Sequence, residues 1–175
     1  SQIFEKLMPA LFENHPVRVP ILGTCETIRE ITPENLYLCH RAFYNPANMI
    51  LCVVGDVDPE EVARIAEEIL PREKTSVGQK KMEWPETMDR PYETVTDRME
   101  VAMPMFHLGF RCESAPNGPE SIRQEVVGDL AAEALFGESS RLYLELYEDG
   151  LIDSSFGGGF ECLDGCSMLL CGGDS

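Results

Sequence analysis

Basic residues are scarce in this chain: 14 Lys and Arg stand against 31 Asp and Glu, a formal net charge of -17 at pH 7. Phosphate polyanions and anionic lipid surfaces would be repelled, so nucleic acid and membrane surfaces are excluded as partners. An acidic surface of this kind keeps a protein soluble and names no positive partner by itself. No apolar run approaches the roughly 20 residues of a membrane span. Ser1-Gln2-Ile3-Phe4-Glu5-Lys6 lacks the basic start and apolar core of a signal peptide. The chain begins without Met and within a helical pattern, as expected of a piece of a longer protein.

Catalytic signatures are missing as well. None of the three histidines, His15, His40 and His107, belongs to H-E-x-x-H or H-x-x-E-H, the spacings that set two zinc ligands on one helical face beside a carboxylate base. There is no G-x-S-x-G nucleophile elbow, no G-x-G-x-x-G phosphate loop and no calcium-loop spacing. No C-x-x-C pair occurs among the seven cysteines. Cys162, Cys166 and Cys171 are the one trio close enough to test as a zinc site, and no histidine lies near them; small buried side chains in strands are the expectation. The odd number and wide spread point to reduced thiols in a cytoplasmic protein.

What is present is scaffold. Ser1 to Phe12 carries Ile3, Phe4, Leu7, Met8 and Leu11 on one side of a short helix, with Pro9 set to kink or end it. A short helix follows around Glu26 to Ile31. Thr32-Pro33-Glu34 starts another, with Leu36, Cys39, His40 and Phe43 on its inward face. Met49 to Val54 is an unbroken apolar run and predicts a strand buried on both faces, with Cys52 inside it. Asp58-Pro59-Glu60-Glu61 opens an amphipathic helix, with Asp58 as N-cap and Glu61 placed for a capping box. From Arg72 to Asp89 the chain is polar and broken by Gly78 and Pro85, a linker in which Trp84 reads as an anchor.

Beyond the linker, Tyr92 to Asp97 alternates like an edge strand and Met105 to Arg111 alternates more strongly. Ser121 is placed to cap a long helix with a core stripe of Val126, Val127, Leu130, Ala131, Ala134 and Leu135, stopped by Gly137. A further helix runs from about Ser140 to Asp149. Ser154 to Cys162 and Cys166 to Gly173 flank Asp164-Gly165, a hairpin turn signal. Gly157-Gly158-Gly159 suits a bulge or close backbone packing. His15 reads as a capped or solvent-facing loop residue, His40 as a core or boundary residue, and His107 as solvent-facing. The carboxylates Glu145, Glu148, Asp149, Asp153, Glu161 and Asp164 read as a solvated acidic face.

Two stretches carry a family resemblance. His15-Pro16, Ile21-Leu22-Gly23-Thr24, Ile31-Thr32-Pro33-Glu34-Asn35-Leu36, Phe43-Tyr44-Asn45-Pro46-Ala47-Asn48-Met49 and Val53-Val54-Gly55-Asp56-Val57-Asp58-Pro59 resemble the segment that follows the zinc site in the insulinase/pitrilysin family of zinc metallopeptidases. Ser139-Ser140-Arg141-Leu142-Tyr143-Leu144-Glu145-Leu146 is similar to a segment of that family's next half. The resemblance implies an α+β fold of mostly antiparallel sheets covered by helices. It divides the chain into 1–71, the end of one peptidase-like half, a linker at 72–90, and 91–175, the start of the next. It implies a zinc-dependent parent that hydrolyses peptides or unfolded chains, with its zinc held by H-x-x-E-H and a downstream glutamate. That motif is absent here, so no catalytic or metal residue carries over and the chain alone is expected to be inert and free of catalytic zinc. The family's second half also supplies an Arg and a Tyr that hold the substrate backbone and the developing oxyanion. Tyr147 and Asp153 occupy those positions here. A second family chain, or a homodimer, is the implied partner that restores the pair. The alternative is a non-catalytic structural or assembly subunit with the same fold, and an unrelated acidic binding domain is a third reading.

Overall fold

The computed structural model describes residues 2–70, 84–86 and 93–174. The domain boundaries expected at 71–72 and 90–91, and the linker apart from Trp84, Pro85 and Glu86, lie outside the described residues. The chain forms two units. One joins the N-terminal 22 residues to the segment after the linker, and the other begins at Gly23. Each is α-helical or α+β for reasons visible in its own residues.

The first unit holds α1 (Gln2–Leu11) and then, beyond the second unit, β1 (Met105–Cys112), a long helix (Pro119–Phe136), a shorter one (Arg141–Glu148), β2 (Gly157–Leu163) and β3 (Cys166–Asp174). In chain order the two helices are α5 and α6, since the second unit supplies α2 (Cys25–Arg29), α3 (Pro33–Phe43) and α4 (Pro59–Ile69). The sheet is antiparallel with β3 in the middle, in the order β1-β3-β2. Asp164-Gly165 makes the two-residue turn between β2 and β3, with Gly165 at φ 83° as such turns require. The expected α+β architecture is therefore the one observed.

Alternation along β3 builds two cores. Cys166 and Met168 point to the face under α1 and pack with Met8 and Phe12, with Leu170 joining them. Cys171 and Leu169 point the other way, into Ala132, Phe136, Tyr143, Ile152 and Phe156 beneath α5 and α6. Odd-numbered β1 residues lie under α1. Gly109 is one of them, and a Cβ there would stand 2.6 Å from Leu11 Cδ1. Phe106, on the opposite face, stacks on Phe156 with centroids 6.0 Å apart.

The long helix corrects the sequence expectation. Its inward stripe is Ser121, Gln124, Gly128, Ala132 and Phe136, while Val126, Val127, Leu130, Ala131, Ala134 and Leu135 face outward. Both sides of this helix carry apolar residues, so periodicity alone does not choose between them. Closeness of approach does: Gly128 leaves the notch that the Phe160 ring of β2 fills. Its N-cap is Gly118, with Pro119 in the first turn. Ser121 is the third helical residue, and its hydroxyl accepts from the Gly118 N–H and donates to the Gly118 carbonyl. Ser140 caps α6 by accepting the Tyr143 N–H at 3.1 Å. Ser140→Ala removes that acceptor from a buried helix start and is expected to cost about 1 kcal/mol, measured as a shift in the urea midpoint with unchanged slope.

The elements described in the second unit are all helical. Thr32 and Asp58 cap α3 and α4 as expected, Asp58 accepting from the Glu60 N–H at 2.9 Å. Glu61 lies beside Arg64 at 3.9 Å rather than closing a capping box. Met49 to Val54 forms no strand, and Ile50 and Val54 are 95% and 93% exposed. Cys52 is exposed as well. A buried strand needs neighbours on both edges and both faces, and the described residues of this unit offer none. For the same reason Leu36, Cys39, His40 and Phe43 of α3 are exposed. In the first unit, residues 93–97 join no ladder, so the expected edge strand over Tyr92 to Asp97 does not form among the described residues.

Candidate functional site

The densest polar constellation sits where α1 ends against the sheet. Glu86 sends its carboxylate into the turn after α1 and accepts the backbone N–H groups of Glu13 at 3.0 Å, Asn14 at 2.5 Å and His15 at 2.6 Å. These residues lie beyond the last turn of α1, so their N–H groups need an acceptor from elsewhere. Arg111 of β1 pairs with the same carboxylate at 3.2 Å and also donates to the Leu11 carbonyl. Both side chains are nearly dry, at 8% exposure for Arg111 and 9% for Glu86. Burial pushes the Glu86 carboxyl upward, but the three N–H donors and then the Arg111 charge outweigh it, and its pKa lies below the ordinary value.

His15 completes the junction. It is buried, not solvent-facing, and its Nε2 donates to the Asp164 carbonyl at 2.9 Å while its Nδ1 accepts the Val17 N–H. One nitrogen gives and one receives, which defines a neutral imidazole in the Nε2–H tautomer. A cleft of about 330 Å³ opens beside this junction, lined by Phe12, Trp84, Arg111, Cys112 and Cys166 among others. Trp84 is half-buried there, as an anchor should be. The Cys166 thiol is pushed up to about 11 by burial, so it stays protonated and unreactive. Glu86, Arg111 and His15 hold α1, the turn after it and the residue 84–86 segment on the sheet. The constellation is a structural clasp.

The other sequence candidates disperse. His40 is exposed and stacks on Tyr44 at 4.8 Å. His107 is half-buried rather than solvent-facing, and burial lowers its pKa. Cys166 and Cys171 point to opposite faces of β3, so the cysteine trio cannot converge on one ion. Among the described residues no three His, Cys, Asp or Glu side chains come together. Gly158 is glycine because a Cβ would enter the Phe136 ring, which is the close packing expected of that stretch.

Tyr147 lies on α6 and Asp153 in the loop beyond it. Tyr147 stacks on Tyr143 with centroids 5.8 Å apart and planes 10° from parallel. Asp153 follows α6, where its Oδ1 accepts the Ser155 N–H at 2.7 Å. Hydrogen bonds from the Ser155 side chain and then its backbone hold its pKa down. Sequence reasoning missed Glu86 and Arg111: partners 25 residues apart in different segments leave no periodic signal.

The comparisons extend these observations. Residues 30–174 match the family model described as the peptidase M16 inactive domain. The chain is 34% identical over 168 residues to YmfH of Bacillus subtilis, named an uncharacterized zinc protease, covering 94% of this chain and 39% of that one. A zinc protease of Mycobacterium leprae is 34% identical over a shorter stretch of 64 residues, 37% of this chain and 14% of that one. Among solved structures, an M16-like peptidase from Alicyclobacillus acidocaldarius superposes with a TM-score of 0.75 at 29% identity, over 99% of this chain and 42% of that one. A protease from Helicobacter pylori superposes with a TM-score of 0.80 at 20% identity, over the same shares, and shares the fold. The chain thus spans about two fifths of the length of YmfH and of both solved structures. No helix among the described residues is long and apolar enough to cross a membrane. The chain belongs to the peptidase M16 inactive-domain family, an insulinase-like group, and carries no H-x-x-E-H motif in its 175 residues.

Proposed function

We propose that this chain is the non-metal-binding part of an M16-like zinc peptidase that cleaves peptides or unfolded chains, and that on its own it is catalytically inert. The observation that carries the reading is membership of the M16 inactive-domain family together with the missing H-x-x-E-H motif. In that reading the zinc and its activated water belong to other residues of the working enzyme. This chain contributes a rigid sheet unit and the helical unit that begins at Gly23. The cytoplasm is the proposed location, supported by seven cysteines that are all free thiols.

Tyr147 and Asp153 favour a second reading. If they stand where the family places its Arg and Tyr, oxyanion stabilisation must come from a second family chain, or the protein is a non-catalytic assembly subunit. One experiment addresses both readings. The 175-residue chain is purified, its zinc content measured, and its cleavage of unstructured fluorogenic peptides followed with and without chelator. The expected result is no zinc above a chelated control and no chelator-sensitive cleavage. Cleavage that disappears with chelator would overturn the inert reading. Restored cleavage when an H-x-x-E-H-bearing family chain is added favours the enzyme over the assembly subunit.

A further inference from the structure

Trp84, Pro85 and Glu86 sit on the sheet unit without joining a helix or a ladder. Their contacts are those of a short bound peptide. Trp84 lines the cleft with Phe12, Arg111 and Cys166. The Pro85 carbonyl accepts from the Asn14 side-chain amide at 2.9 Å. The Glu86 carboxylate takes three consecutive main-chain N–H groups, those of Glu13, Asn14 and His15, together with the Arg111 guanidinium. The receiving side is tethered by bonds other than those to Glu86. His15 is held through the Asp164 carbonyl and the Val17 N–H. Arg111 is held by β1 and by its donation to the Leu11 carbonyl. Phe12 is packed into the core under α1. A run of N–H groups beside a guanidinium is a means by which proteins recognise carboxylates.

We propose that this cleft is a docking site for an extended segment in which an aromatic residue is followed two positions on by a carboxylate. Residues 84–86 are its intrachain occupant, exchangeable for the same kind of segment on another chain. Pro85 suits that role, because a proline keeps the residue before it extended and lowers the entropy lost on docking. A tethered segment outcompetes a free one through its effective concentration. The site is therefore closed while residues 84–86 are seated and open when they are not. Docking of this kind needs no zinc and no cleavage, so it stands apart from the peptidase reading.

The test uses the full chain carrying Trp84→Ala and Glu86→Ala together, which empties the site and removes the single tryptophan. The peptide Ac-Trp-Pro-Glu-NH2 then holds the only indole, and its fluorescence anisotropy reports binding. A salt concentration of about 0.15 M screens the repulsion between an acidic chain and an acidic peptide. Saturable binding is expected, and about tenfold weaker binding of Ac-Trp-Pro-Gln-NH2, which lacks the charge. A Trp84→Phe chain keeps its own carboxylate seated and should bind the probe about tenfold more weakly than the emptied chain. If the emptied chain does not fold by itself, the probe should restore its urea transition, because a ligand of the native state alone stabilises that state. Trp84→Phe with Glu86→Gln keeps an acceptor for the N–H groups and should fold, with probe affinity above that of Trp84→Phe. Equal affinity for the Glu and Gln peptides, equal affinity for occupied and emptied chains, or neither binding nor refolding overturns the proposal.

Discussion

Glu86→Ala is expected to destabilise the sheet unit by about 3–5 kcal/mol, the cost of stranding one partner of a buried ion pair. The loss has two parts. Arg111 would keep its donation to the Leu11 carbonyl but lose the carboxylate that neutralises it in a nearly dry site. The N–H groups of Glu13, Asn14 and His15 would lose a common acceptor. Trp84 is the single tryptophan and lines the neighbouring cleft, so its fluorescence in a urea titration reads this region directly. A loss under about 1 kcal/mol would mean that water replaces the carboxylate and that the clasp is superficial.

The same residue gives a pH dependence of known sign. The folded pKa of Glu86 lies below its ordinary value of 4.5. The unfolded chain therefore binds the proton first as pH falls, and the contribution of Glu86 is complete above about 4.5 and shrinks as pH drops through the folded pKa. The stability difference between the native chain and Glu86→Gln should thus be flat from neutral pH down to about 4.5 and narrow below it. A difference that widens on acidification would contradict the arrangement.

Local chemistry was readable in the sequence wherever it depends on neighbours a few residues apart. Thr32 and Asp58 cap their helices, Asp164-Gly165 turns the hairpin, and Met105 begins the strand its alternation predicts. Face selection was not readable. The long helix offers valines and leucines on one side and Gly128 and Ala132 on the other, and the sheet takes the small side because Phe160 needs the space. Met49 to Val54 has the composition of a core strand, but composition cannot supply the strands that would pair with it. The Tyr143–Tyr147 stack follows from helical spacing. The Glu86–Arg111 pair does not, because its partners stand 25 residues apart in segments that only the fold brings together.

Gly172→Ala is expected to cost about 3 kcal/mol or more, above the ordinary range for an added methyl, because the collision is with backbone on both counts. A Cβ at Gly172 would overlap the Phe106 carbonyl oxygen and stand 2.8 Å from the His107 Cα. Gly172 pairs with His107 in the ladder, so relief requires moving β1 away from the central strand and stretching its hydrogen bonds. The neighbouring Gly173 is confined in the same way from the other side, with the Phe156 backbone 2.6–2.7 Å from its would-be Cβ. Gly109→Ala is the control. Its Cβ meets only the tip of Leu11, at 2.6–3.3 Å, and that side chain can rotate aside. The control should lose about 1 kcal/mol and retain the ladder. Urea titrations give the two energies, and amide exchange of Leu108 and Phe110 shows whether the strand has moved. Protection should fall for Gly172→Ala and hold for Gly109→Ala. Equal losses for both variants would place the strain in side-chain packing and not in the close approach of the two strand backbones.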